Sequence, residues 1–383
     1  MLTTLCLTMR TAPEILLDLV AIPSVSSMTN QPVIDYVLPC LDPSHWTVEL
    51  HDYCDSSGNP KTNLVATSKS AAGQAPELAF VCHTDTVPFE ADWQAAVHPV
   101  IQDGRLYGRG SCDVKGFLAC VLETLSHLEL AQLKKPLALV LTADEEVGCV
   151  GAKHLAAKSA IRSRFMIVGE PTGLRPVRAG KGYALAEIIV KGKQAHSAFP
   201  ARGHSAIVDA AKVVLQLEHV AAELSHFRDP TFDPPFTTMN VGLIQGGTAK
   251  NIVPGECRIT VEWRPIPGQS PEQAADLIEQ QLSQLAHTAA GFEASLDVKR
   301  IDPPFEPAAT SDLATLLESV SGRPSATVSF GTEAAHFRNA TSEAVVFGPG
   351  DMTVAHKSGE FVPVAELTEC VTHLRAVVAK LCF

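Results

Sequence analysis

The stretch "PLALVLTADEE" (residues 136–146) decides the fold. Leu137 to Leu141 form an unbroken apolar run that stops abruptly at polar residues. A strand buried on both faces reads this way, because neither face meets water and nothing imposes alternation. "ELAFVCHTD" (77–85), "RFMIVGEP" (164–171) and "EAVVFGPGD" (343–351) share the pattern. Helical periodicity fills the gaps, as in "KGFLACVLETLSHLEL" (115–130) and "AELTECVTHLRAVVAKL" (365–381). Buried strands alternating with amphipathic helices predict an α/β domain with a mostly parallel, helix-covered sheet.

Residues 177–298 follow a different rule. "YALAEIIVKG" alternates, "HSAIVDAAKVVLQLEHVAAEL" is a long amphipathic helix, and "TTMNVGLIQGG" and "CRITVEWRP" read as strands. Helix "SPEQAADLIEQQLSQLA" and strand "FEASLDVKR" complete the order βαββαβ. That order predicts a small α+β sandwich inserted into the larger domain, which then comprises 1–176 and 299–383. Pro-rich "DPTFDPPF" and "RIDPPFEP" mark bends inside and after the insert.

The 383 residues suffice for two cores, and 46% hydrophobic with 19% charged residues describes a globular chain. A net charge of −12 leaves no basic surplus for nucleic acid or anionic lipid. No apolar run reaches the roughly 18 residues that span a bilayer. The N-terminal "MLTTLCLTMRTAPEILLDLV" lacks the basic region of a signal peptide, and Thr11 with Glu14 reads as a capping box opening the first helix. Ten cysteines are irregularly spaced without any C-x-x-C, so neither a disulfide framework nor a structural zinc site is specified. Free thiols beside apolar stretches fit a reducing cytoplasm.

The chemistry collects at the ends of the apolar runs. These supply His83 and Asp85, then Glu145 and Glu146, then Glu170, while "GRGSCDVKG" places Asp113 just before a helix. The carboxyl ends of strands in an open α/β sheet line one crevice, so these groups should converge. Several uncompensated carboxylates in one cleft are untenable unless a cation lies among them. Histidine with carboxylates suits zinc or a similar divalent ion, and a carboxylate such as Asp113 can bridge two ions about 3.5–4 Å apart. "GDMTVAHKSGE" adds His356 in a loop after the last run. Singly these signals are weak: an EE pair is commonly a solvated loop and a lone histidine a structural one. On a strand end, Glu145 and Glu146 would point to opposite sides and serve two tasks. A G-x-S-x-G elbow and an H-E-x-x-H helix are both missing from the sequence, which disfavours serine hydrolases and mononuclear zinc proteases.

Together, "HTDTVP", "DVKG", "ADEEVG", "GEPT", "KGKQAHSAFPARGHSAI", "GGTAKNIVPGECRI" and "GPGDMTVAHKSGE" resemble, in order, the motifs of the dinuclear-zinc peptidase and deacylase (M20-like) family. The resemblance spans nearly the whole chain. It implies two Zn2+ per chain, with Co2+ or Mn2+ as substitutes, held by His83 and Glu170 on one side, Glu146 and His356 on the other, and Asp113 between them. Asp85 would orient the His83 imidazole, the peptide after Asp113 would be cis, and Glu145 would be the general base that deprotonates the attacking water. The insert would act as a lid and dimerisation domain, with His196 reaching the site of a partner subunit in a homodimer. Lys181, Asn251 and Arg264 match positions that hold the substrate's carboxylate or amide; they read equally as a surface lysine, a turn asparagine and a strand-end arginine. Glu333 in "FGTEAAHF" would accept a substrate ammonium or brace its loop. "GEPTGLRPVRAGKG" and "GTEAAHF" point to members that deacetylate an N-acetyl amino acid, N2-acetylornithine foremost, within arginine biosynthesis. N-acetylcitrulline, another N-acyl amino acid, or a non-catalytic relative that binds such a compound are the alternatives.

Overall fold

The structure, a computed structural model, describes residues 10–70 and 73–383. The reading of the N-terminus as free of a signal peptide rests partly on residues 1–9, outside those described. The first part of the chain forms α1 (Ala12–Ala21), α2 (Gln31–Val37), β1 (Trp46–Cys54), β2 (Pro60–Ser68), β3 (Leu78–His83), β4 (Val100–Gln102), β5 (Arg105–Tyr107), α3 (Lys115–Ser126), β6 (Leu137–Thr142), α4 (Val150–Ala157), β7 (Ser163–Val168) and β8 (Val177–Gly180). Then come β9 (Tyr183–Lys191), α5 (Ala206–Leu224), β10 (Thr238–Gly246), β11 (Glu256–Arg264), α6 (Gln273–Thr288) and β12 (Glu293–Asp302). The chain closes with α7 (Asp312–Ser321), β13 (Ala326–Val328), β14 (Thr341–Val346), β15 (Phe361–Pro363) and α8 (Val364–Cys382).

Two units result. One holds the chain up to Arg178 with Pro307–Ala326 and His336–Phe383; the other holds Ala179–Glu306 with Thr327–Ala335. The segment Thr327–Ala335 therefore belongs with the second unit although it follows the βαββαβ insert in sequence.

In the first unit the sheet runs β1–β2–β6–β3–β7–β14, extended by β8 and β13 where the chain crosses over. The four apolar runs are its parallel centre: β3 pairs parallel with both β6 and β7, and β14 with β7. Every residue of β3 and β6 is buried, which explains their lack of alternation. Helices α1, α3 and α8 cover this sheet with Leu16, Leu19, Phe117, Val121, Leu374 and Val378. Each such fully buried side chain contributes about 1.5–3 kcal/mol. At the start of α1 the Thr11 N–H donates to the Glu14 carboxylate at 2.8 Å, the acidic half of the expected box. The antiparallel pair β1–β2, which carries the sheet beyond β6, has no counterpart in the sequence reading.

The second unit is the expected βαββαβ layer, with strand order β10–β11–β9–β12, all antiparallel. Along β9, Ala184, Ala186, Ile188 and Val190 are buried while the intervening residues are not. The buried row packs on Val213, Leu217 and Val220 of α5 and Ile278 and Leu282 of α6.

Candidate metal centre and catalytic turn

Parallel register positions the site. His83, the last residue of β3, is level with Thr142 at the end of β6, and Val81 is level with Val168 at the end of β7. The loops leaving all three strands therefore start at one edge, with Glu145 and Glu146 beyond β6 and Glu170 two residues beyond β7. Asp113 lies before α3, its peptide to Val114 cis as expected, and His356 lies in the loop after β14 at φ +61°.

Four of the expected ligands meet directly. His83 Nε2 is 3.1 Å from Asp113 Oδ1, and His356 Nε2 is 3.1 Å from Asp113 Oδ2 and 3.1 Å from Glu146 Oε2. Asp113 thus turns one oxygen to each imidazole, the arrangement a bridging carboxylate needs. Glu170 is buried at the end of β7, 4% exposed.

The electrostatics of this cluster call for a cation. Burial opposes charge on His83, yet the bond and charge of Asp113 with the charges of Asp85 and Glu145 raise its pKa well above the usual imidazole range. Bonds to Asp113 and Glu146 push His356 up to about 10. Asp113 is held well below the carboxylate range because the histidine contacts outweigh its burial. Glu146 shifts upward through burial and the Asp113 charge. The imidazoles are thus driven to carry positive charge among the carboxylates, the charge a divalent ion would bring instead. His83, Asp113 and Glu146 each offer a ligand atom within 4.8 Å of the others. The donor set fits a metal centre.

The geometry corrects one expectation and refines another. The first concerns Glu145 and Glu146, which are not on a strand end. β6 stops at Thr142, Asp144 takes φ +59°, and the pair sits in a turn closed by the Gly148 and Cys149 N–H groups donating to the Glu145 carbonyl. Their separate orientations come from turn geometry, not strand alternation. The second concerns Asp85. Its carboxylate is 3.7 Å from His83 Nδ1, and it is the Asp85 backbone carbonyl that meets that nitrogen, at 3.0 Å. The carboxylate instead accepts the Ser26 hydroxyl (2.7 Å) and the N–H groups of Glu145 (3.0 Å) and Glu146 (3.3 Å). Asp85 holds the ring through its backbone and the glutamate turn through its side chain.

Further residues belong to this centre and escaped sequence reasoning. Glu360, 1% exposed, accepts the Cys112 and Asp113 N–H groups at 3.0 and 3.1 Å and pairs with Arg109 at 2.6 Å. It anchors the backbone of Asp113. The available signal was its place four residues after His356, in "HKSGE". The Cys149 thiol donates to Glu145 Oε1 at 3.3 Å.

The remaining expected residues lie in the second unit. Lys181 is buried and donates to the Phe236 carbonyl at 2.7 Å; burial pushes its pKa down to about 8. Arg264 stacks over Tyr183, its guanidinium carbon 4.5 Å from the ring centre. His196 and Asn251 are brought together by a bridge between His196 and Ile252 and by the Ser197 N–H donating to the Asn251 carbonyl at 3.0 Å. Glu333 is fully buried at the start of a short helical turn, Glu333–Phe337.

Carboxylates and imidazoles gathered at the carboxyl ends of parallel strands define a metal-dependent hydrolase. Known proteins agree. The sequence profile of the peptidase family M20/M25/M40 matches residues 79–380. An acetylornithine deacetylase of Myxococcus xanthus is 48% identical over 368 residues, 96% of each chain. Among solved structures, a tripeptidase from Staphylococcus aureus superposes with a TM-score of 0.77 at 23% identity, covering 97% of each chain. An M20 family metallo-carboxypeptidase from Sulfolobus solfataricus gives 0.76 at 18% identity, covering 97% of this chain and 99% of that one. The chain belongs to the M20 peptidase family, and the resemblance read from its motifs is borne out. Among the described residues, no helix is long and apolar enough to cross a membrane.

Proposed function

We propose that the protein hydrolyses N2-acetyl-L-ornithine to ornithine and acetate. The observation that carries this reading is the 48% identity to the Myxococcus xanthus acetylornithine deacetylase over 96% of both chains. The cluster of His83, Asp113, Glu146 and His356, with Glu170 buried just beyond β7, supports it. Those five residues would hold two Zn2+, or Co2+ or Mn2+ in substitution, which when bound supply Lewis acidity to the amide carbonyl and to water.

The chain's own groups do the rest. Glu145, outside the ligand set, takes a proton from the attacking water at its carboxylate and returns it to the departing amine, which cannot leave as an anion. Asp85 keeps Glu145 in place by accepting its N–H. Lys181, Asn251 and Arg264 are assigned to the substrate's carboxylate and amide, since cationic and amide donors suit those groups. Glu333 is assigned to the side-chain ammonium.

His196 is assigned to the developing oxyanion, supplied from a second copy of the chain. A homodimer is supported by large apolar side chains left exposed on the second unit. Val208 and Leu215 of α5 are each 58% exposed, and Leu243 and Ile244 project from the sheet-edge strand β10 at 58% and 52%. No disulfide joins the described cysteines, in keeping with a cytoplasmic enzyme.

The test is side-by-side kinetics of the zinc-loaded protein on N-acetylornithine, N-acetylcitrulline and N-acetylmethionine. N-acetylornithine should give the highest kcat/KM. A preference for the uncharged citrulline side chain would overturn both the substrate and the Glu333 assignment.

A further inference from the structure

Lys61 is a buried lysine of the first unit to which the reaction above assigns no task. It lies on β2, 1% exposed. Its ammonium carries three protons and meets three short acceptors: the Ser26 carbonyl at 2.6 Å, the Met28 carbonyl at 2.8 Å and Asp144 Oδ1 at 2.6 Å. A buried ion pair is no better than apolar packing as a source of stability, so this charge calls for another explanation.

Two of its three bonds lead to the turn that carries the glutamates. Asp144 immediately precedes Glu145 and stands at φ +59°, a conformation that an unclamped aspartate adopts at a cost. Its carboxylate is gripped between Lys61 and the Tyr53 hydroxyl, which donates at 3.0 Å. On the other side, Ser26 offers its carbonyl to Lys61 and donates its hydroxyl to Asp85, the residue that accepts the Glu145 and Glu146 N–H groups. One cation therefore holds the start of the turn by two routes, directly through Asp144 and indirectly through Ser26 and Asp85.

We propose that Lys61 is the positioning residue for the general base, holding Glu145 at the geometry that proton transfer requires. The proposal rests on the assignment of Glu145 as that base. Lys61 touches no reacting atom. Glu146 reaches outside the turn to His356, 3.1 Å away, whereas the Glu145 carboxylate meets the Cys149 thiol, a member of the same turn, at 3.3 Å. Loss of Lys61 should therefore impair proton transfer while sparing metal binding. A misplacement of about 1 Å in a reacting group costs on the order of 100-fold in rate.

The experiment compares K61M, K61R, D144N, E145Q and the double variant K61M/E145Q, all zinc-loaded, on N-acetylornithine. K61M should lose about 100-fold in kcat with KM within about threefold of wild type and unchanged metal content, and K61R should recover most of the loss. K61M should cost nothing further in the E145Q background, because both act on one step. Wild-type kcat in folded K61M overturns the proposal. So do losses that multiply in the double variant, or a parallel fall of kcat, metal content and melting temperature that K61R fails to reverse. Should K61M not fold, D144N keeps the side-chain shape while removing the charge pair, and wild-type kcat in folded D144N is equally fatal. Full activity in E145Q would instead remove the base assignment, an outcome separate from failure of Lys61.

Discussion

The two larger sheets differ in a way that determines where chemistry can collect. In the first unit β3, β6 and β7 are parallel and buried on both faces, so their carboxyl ends lie along one edge. Each strand delivers its polar terminus to that edge, and carboxylates accumulate until they require a cation. In the second unit β9, β10, β11 and β12 are antiparallel, so successive termini go to opposite ends of the sheet. No such concentration arises there. Its candidate residues are scattered: Lys181 before β9, His196 and Asn251 on neighbouring loops, Arg264 at the end of β11, Glu333 on the returning segment. Under the proposed function, the first unit would carry the reaction and the second would recognise and associate.

That division breaks most visibly at Glu145. E145Q should lower kcat by about 10³–10⁴-fold, toward the upper range of general-base contributions, while metal analysis still finds about two ions per chain. Substantial residual turnover would mean that the reactive group lies elsewhere. His196→Ala should lower kcat by about 100-fold with metal content intact, the scale of a lost oxyanion donor. Mixing it with E145Q protein should restore activity, because a mixed dimer contains one complete site; mixtures without recovery would confine His196 to a role within its own chain.

Lys181 sharpens the recognition half. Burial lowers its pKa to about 8, so it is charged below that pH and neutral above it. If it pairs with the substrate carboxylate, KM should climb about tenfold as pH rises through about 8, while Lys181→Met should have a high KM that no longer varies there. A wild-type KM flat from pH 7 to 9 would remove Lys181 from the substrate. The smallest effect is expected at the face of the second unit. Leu243→Asp on exposed β10 should leave the melting temperature within a few degrees yet shift the protein to monomer by light scattering. An unchanged oligomer would move the proposed interface away from β10.

Much of this architecture was legible because it depends on local patterns. Unbroken apolar runs announce buried strands, and alternation in "YALAEIIVKG" announces a half-buried one. The convergence of His83, Asp113 and Glu146 was legible in part because parallel strands end in line, so residues close to the run ends become neighbours. The pair β1–β2 escaped because β1 is largely solvent-facing, with Glu49, Leu50, Asp52 and Cys54 among its nine residues, and shows little hydrophobic contrast. Lys61 and Asp144 are 83 positions apart, and no periodicity links them. Glu360 stands 247 residues from Asp113, whose amide it accepts.

The sequence by itself determined the order of the buried strands and their helices, the contrast between a doubly buried and a one-sided sheet, and which polar side chains follow the buried strands. Only the tertiary structure decided that Asp85 works through its backbone on His83 and through its carboxylate on the turn. It alone put Glu145 and Glu146 on a turn and set Lys61 beneath them. The physical reason is that strand burial is written into neighbouring residues by hydrophobic patterning. The hydrogen bonds of a buried polar network, by contrast, satisfy individual donors and acceptors wherever the folded chain brings them together, and leave no periodic trace.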